Sequence, residues 1–134
     1  MKPLYEIGLL KIDFLGLKNL TIIEKTLQLI KIRHNEDLDL GKIDMNDEAT
    51  FQLLQKGNTT GVFQLESAGM RRYIKELKPT RFEHIIAMIS LYRPGPMPWI
   101  PQYIKGKHHP ETVRYLHPSF EKILNETNGV AVYQ

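Results

Sequence analysis

Asp13 is the residue whose type and surroundings most invite chemistry, because it is a carboxylate set within the apolar run Leu9-Leu10-Lys11-Ile12-Asp13-Phe14-Leu15. An ionised carboxylate is costly to bury unless it is paired or bound to a cation. In a strand, Leu10, Ile12 and Phe14 alternate with Lys11 and Asp13, so both charges leave one face, about 6.6 Å apart. Two readings follow. One is an ion pair with Lys11 on an edge strand; the other is a metal-binding aspartate beside a phosphate-binding lysine. Holding two divalent ions takes at least two carboxylates. No second acidic residue accompanies Asp13 at strand spacing, so any partner carboxylate must come from elsewhere.

Other residues carry weaker signals. Arg71, Arg72, Lys75, Lys78 and Arg81 crowd one stretch around Tyr73, which suits a nucleic-acid backbone and equally suits the solvated side of a helix. Arg93 is held by Pro94 and Pro96 on a stiff loop, a device that serves function or a plain corner. Gly57-Asn58-Thr59-Thr60-Gly61 lacks the glycine–lysine–serine/threonine ending of a phosphate-cradling loop and reads as a turn. His108 and His109 are adjacent, a poor spacing for convergence on one metal, and no third ligand follows at a known interval. No serine–histidine–aspartate arrangement is identifiable.

The elements that must position these groups read as mostly helical, with short strands near both ends. The first strand runs from Leu9 to Leu15 and Gly16 ends it. Thr21 and Glu24 form a capping-box pattern ahead of the stripe Ile22, Ile23, Leu27 and Ile30. Asn35 to Asp39 is an acidic break. Asn46 can cap a second helix carrying Ala49, Phe51, Leu53 and Leu54, which stops at Gly57. Thr59 to Gln64 suggests a turn and a short extended piece.

A third helix places Met70, Tyr73, Ile74 and Leu77 on one side and ends at Pro79. Thr80 and Glu83 make another capping box before Phe82, Ile85, Ile86 and Ile89. Three prolines between Tyr92 and Pro98 require a loop. Residues 105–115 are polar and loop-like. Pro118 suits the first position of a helix through Phe120, Ile123 and Leu124. Asn128-Gly129 is a turn signal before an apolar strand from Val130 to Tyr133.

Composition bounds the class. The 134 residues are 42% hydrophobic and 25% charged, which suits one globular domain or part of a larger one. No run approaches the roughly 20 apolar residues of a membrane helix, and no secretory signal pattern opens the chain. Cysteine is absent, which excludes disulfides and thiolate metal sites and fits a reducing cytoplasm. Residues 1–67 hold 8 basic against 10 acidic residues, a net −2; residues 68–134 hold 10 against 5, a net +5. The basic half suggests a polyanionic partner.

Four segments, in order, resemble the signatures of the bacterial C-family replicative DNA polymerases. They are Lys11-Ile12-Asp13-Phe14-Leu15-Gly16-Leu17-Lys18; Gly61-Val62-Phe63-Gln64-Leu65-Glu66-Ser67 with Gly69-Met70; Tyr92-Arg93-Pro94-Gly95-Pro96-Met97; and Gly129 to Gln134. The similarity runs from about Leu4 to the end. It implies that Asp13 is the third of three palm carboxylates binding two magnesium ions, the other two lying upstream in an aspartate–x–aspartate motif. It also implies that Lys11 offsets phosphate charge. Residues 1–17 would then be the last strand of a nucleotidyltransferase-type palm and residues 18–134 the start of helical fingers. Arg93, Arg71, Arg72, Lys75 and Gln64 become candidates for nucleotide or DNA contact. The implied partners are primer-template DNA, deoxynucleoside triphosphates and other replicase subunits.

Asn128 stands where the family usually has tyrosine, and Ile12 where an aromatic residue or methionine is common. The alternative is a helical nucleic-acid-binding or protein-interaction module without catalysis.

Overall fold

A computed structural model of the chain describes residues 6–133. The chain divides into two units at Ile43–Asp44.

Among the described residues, the first unit is built around helix α1 (Lys18–His34). It starts three residues before the expected capping box, because nothing between Gly16 and Thr21 breaks a helix, and its N-cap Leu17 makes no side-chain bond. Asn35 ends it in the left-handed region, donating its N–H to the Lys31 carbonyl at 3.0 Å. Leu27 and Ile30 of the anticipated stripe are half-buried, whereas Ile22 and Ile23 stay exposed.

The second unit holds the core. Helix α2 (Glu48–Gln55) is capped by Asp47, one residue after the expected Asn46; its carboxylate accepts the Thr50 N–H at 2.7 Å. At its end Gly57, with φ +69, donates to the Leu54 carbonyl at 2.8 Å, and Asn58 donates to Leu53 at 3.2 Å. This paired closure is the glycine stop expected from the sequence. Helix α3 (Ala68–Leu77) starts at Ser67, whose hydroxyl accepts the Met70 N–H at 3.2 Å. It buries Met70, Ile74 and Leu77, a spacing that keeps one face inward.

Helix α4 (Phe82–Leu91) buries His84, Ile85, Ala87, Met88 and Leu91; of the apolar residues marked in the sequence, Ile85 is buried and Ile89 packs half-buried against the core, while Phe82 and Ile86 are exposed. Its N-terminus has no capping box. Instead the Thr80 N–H donates to His84 Nδ1 at 3.2 Å.

Helix α5 (Ile100–His108) takes in residues 105–108, which the sequence suggests are loop, and buries Ile100, Tyr103 and Gly106. A 3₁₀ turn at Met97–Trp99 leads into it, and Pro101 lies in its first turn, where a missing N–H costs nothing. Helix α3 packs between α2 and α5. Gln55 Nε2 donates to the Pro79 carbonyl at 2.8 Å, and His108 Nε2 bonds the Glu76 carbonyl at the same distance. A last short helix, α6 (Pro118–Leu124), begins on Pro118 as expected.

The α+β reading needs correction: among the described residues there is no strand, and the fold is helical. Residues 9–17 are irregular, and Leu10, Ile12 and Phe14 are exposed rather than covered. Period-two alternation describes a strand only where a neighbouring strand supplies its ladder of hydrogen bonds, and none is present among the described residues. Thr59 to Gln64 is a run of turns, closed by the Thr59 hydroxyl donating to the Leu65 carbonyl at 2.6 Å. Residues 130–133 likewise form no ladder; Val130 is buried, and its carbonyl accepts the Thr127 hydroxyl at 2.6 Å. Residues 1–5 and Gln134, the last residue of the fourth signature, lie outside the described residues.

His84 makes the fold sensitive to acid. Burial pushes its imidazole down to about 4, with help from the positive charges of Lys107 and Arg81 and against the pull of Glu83. The unfolded chain takes up this proton near pH 6.5 and the folded chain only near 4, so between them the unfolded state binds more protons. Stability is therefore full above pH 6.5 and falls as the pH drops toward 4, by about 3 kcal/mol in all. Urea midpoints for the wild type and His84→Gln should diverge across this window, with the variant losing less on acidification. Parallel pH profiles would contradict it.

Candidate nucleic-acid and metal-binding residues

Asp13 and Lys11 belong to the first unit. Lys11 Nζ lies 3.2 Å from Asp13 Oδ1, with the two side chains 44% and 65% exposed. The pair anticipated from the sequence is thus formed, though on irregular backbone. Among the described residues no three histidine, aspartate or glutamate side chains converge to hold a metal. One exposed carboxylate is too few oxygen ligands for two magnesium ions. The described residues therefore do not form a complete magnesium site.

The remaining candidates belong to the second unit, where the second and third signature segments meet. Tyr92 lies against the first turn of α3: a Cβ on Gly69 would run into the Tyr92 hydroxyl, and Tyr92 Cζ would stand 3.3 Å away. The Tyr92 ring packs edge-on against Tyr73, with centroids 6.1 Å apart. The Arg72 guanidinium covers the Tyr73 ring at 4.8 Å from its centroid and also approaches Glu76 Oε1 at 3.7 Å. A chain of contacts thus links Arg72, Tyr73, Tyr92 and Gly69, with Arg93 following Tyr92 in the chain. Gln64 sits just upstream with φ +64, a conformation that costs a non-glycine residue about 1 kcal/mol or more. Its side chain is exposed, as is that of Arg93.

The basic residues of the stretch 71–81 have different local surroundings. Arg71 is half-buried and Arg72 is engaged with Tyr73 and Glu76. The stem of Lys75 lies over Gly57, where an added Cβ would collide with it. Lys78 and Arg81 instead share their surroundings with Lys107 of α5, a residue outside the basic stretch that the sequence marks. Burial lowers the Lys107 ammonium below the usual lysine value, and Arg81 and then Lys78 lower it further. The sequence signal for Lys107 is the helical spacing Ile100, Tyr103, Ile104 and Lys107, obscured by the neighbouring prolines. A shallow cleft of about 420 Å³ between α5 and the segment after it is lined by Lys105, Gly106, Arg114 and Asn128.

Comparison with known proteins agrees with the ordered signatures. Residues 19–134 match the family described as the bacterial DNA polymerase III alpha subunit finger domain. The chain is 50% identical over all 134 residues to DNA polymerase III subunit alpha of Halalkalibacterium halodurans. It is 55% identical over 128 residues, 96% of its length, to DNA polymerase III subunit alpha of Staphylococcus aureus strain COL. It spans 12% of the length of each of these relatives. No described helix is long and apolar enough to cross a membrane. The chain belongs to the finger-domain family of the bacterial DNA polymerase III alpha subunit.

Proposed function

We propose that this chain serves a DNA-directed DNA polymerase of bacterial chromosome replication, adding deoxynucleotides to a primer 3′-hydroxyl on a DNA template. Residues 18–134 form the first part of the fingers, and residues 1–17 deliver Asp13 to the catalytic centre. Asp13 supplies one carboxylate of a magnesium site whose other ligands lie outside these residues. Lys11, released from its exposed pair, offsets phosphate charge. Bound magnesium there would favour attack by the primer oxygen and stabilise the departing pyrophosphate. Arg93 and Gln64, at the junction of α3 and Tyr92, contact nucleotide or DNA together with Arg71, Arg72 and Lys75. The other replicase subunits meet the full-length enzyme outside this segment, in the cytoplasm.

The observation that carries this reading is the identity to polymerase subunits across the whole chain, with the Lys11–Lys18 segment inside the aligned residues. Its test is primer extension. A full-length polymerase carrying this segment should extend a primer in magnesium. The purified 134-residue chain should add nothing above a no-enzyme control, because one carboxylate cannot hold the ions. Templated incorporation by the chain alone, or none by the full-length protein, would count against it.

A further inference from the structure

The carboxyl end of α3, the linker to α4 and the last turn of α5 meet at one place, held there by the bond from His108 Nε2 to the Glu76 carbonyl at 2.8 Å. Three cations stand around this junction: Lys78, which closes α3 in the left-handed region with φ 49; Arg81, the N-cap of α4; and Lys107 on α5. Lys78 and Arg81 are exposed, and Lys107 is half-buried. None of the three forms an ion pair among the described residues. Among those residues Glu83 is the one carboxylate whose field reaches His84 at this junction, and Glu76 is occupied with Arg72. Like charges gathered from separate elements without matching carboxylates repel one another, an arrangement that a polyanion relieves.

We propose that Lys78, Arg81 and Lys107 form one phosphate-binding patch that takes the sugar–phosphate backbone of nucleic acid. The choice of nucleic acid over an acidic protein segment rests on the polymerase reading above. The patch adds to the candidate contacts on α3, where Arg72 also meets Tyr73 and Glu76. It reads no sequence, because it presents charge rather than paired donors and acceptors to base edges.

Fluorescence anisotropy of labelled duplexes and single strands of two unrelated sequences, titrated with the chain at several salt concentrations, tests this. Wild-type affinity should fall steeply with salt and be alike for both sequences. The combined variant Lys78→Gln, Arg81→Gln and Lys107→Gln should bind about tenfold or more weakly. It should also lower the salt slope by about 2.7, since each phosphate left without its cation on duplex DNA subtracts about 0.9. Lys107→Arg should behave as wild type, and the pair Arg71→Gln and Arg72→Gln should change the slope less than the combined variant. Circular dichroism checks helicity. If the combined variant unfolds, Lys107→Gln alone should lower the slope by about 0.9. An unchanged slope in a folded variant, no DNA binding by the wild type, or equal affinity for poly-glutamate would overturn the proposal. Failure of primer extension by the full-length enzyme with DNA binding intact would instead strike only the polymerase reading.

Discussion

Asp13→Asn in a full-length polymerase carrying this segment should reduce templated incorporation by about 10³-fold or more while leaving the helical fold unchanged. The substitution keeps size and removes one negative charge. Two roles for Asp13 predict very different losses. As a partner of Lys11 alone it sits in an exposed pair of 3.2 Å, and such pairs contribute about 0–1 kcal/mol. As a metal ligand it supports charge stabilisation worth several kcal/mol at the transition state, where each step of about 1.36 kcal/mol is tenfold in rate. The gap between the two is wide enough for a single rate measurement to separate them. Extension within about threefold of wild type would return Asp13 to the role of a surface ion pair.

Ile74→Ala should destabilise the second unit by about 3–4 kcal/mol. Ile74 is fully buried on the inward face of α3, the helix that packs between α2 and α5. Its neighbours along that face, Met70 and Leu77, are buried as well, so the three helices cannot shift to fill the space without moving one another. A domain of this size holds about 5–10 kcal/mol of stability, so the loss is a large share of the whole. Urea unfolding followed by circular dichroism reads it directly. Leu53→Ala on the exposed side of α2 should cost less than about 1 kcal/mol and serves as the comparison. Equal costs for the two variants would mean that Ile74 is no more deeply packed than Leu53 in the folded protein.

These residues also show where the sequence was legible. The Met70, Ile74 and Leu77 spacing, the stop at Gly57 and the start at Pro118 are signals that act within one turn of the backbone, and each has its expected place in the fold. Part of what failed was local, as at the capping boxes of Thr21 and Thr80, and part depended on partners distant in sequence. The alternation around Asp13 resembles a strand, but alternation does not provide the second strand that would hold it. The inward face of α4 is fixed by packing that its own sequence, apolar nearly all round, cannot specify. Helix α5 is hidden by Pro98 and Pro101, which look like breakers but occupy a 3₁₀ turn and a first helical turn. Without α5, nothing in the sequence joins Lys107 to Lys78 and Arg81. For the candidate site, the ordered signatures point to Asp13, Gln64 and Arg93 directly. The contact between Tyr92 and Gly69, which joins two of those segments, emerges only from the fold.

The most direct measurement of the central claim, that Asp13 binds a catalytic metal, is metal rescue of Asp13→Cys in the full-length polymerase. Magnesium prefers oxygen ligands, whereas thiolate favours softer ions. Primer extension by the variant should be lost in magnesium and partly restored when manganese or cadmium is supplied, with no such gain for Asp13→Ala. Full activity of Asp13→Cys in magnesium, or the same response of both variants to every ion, would contradict it.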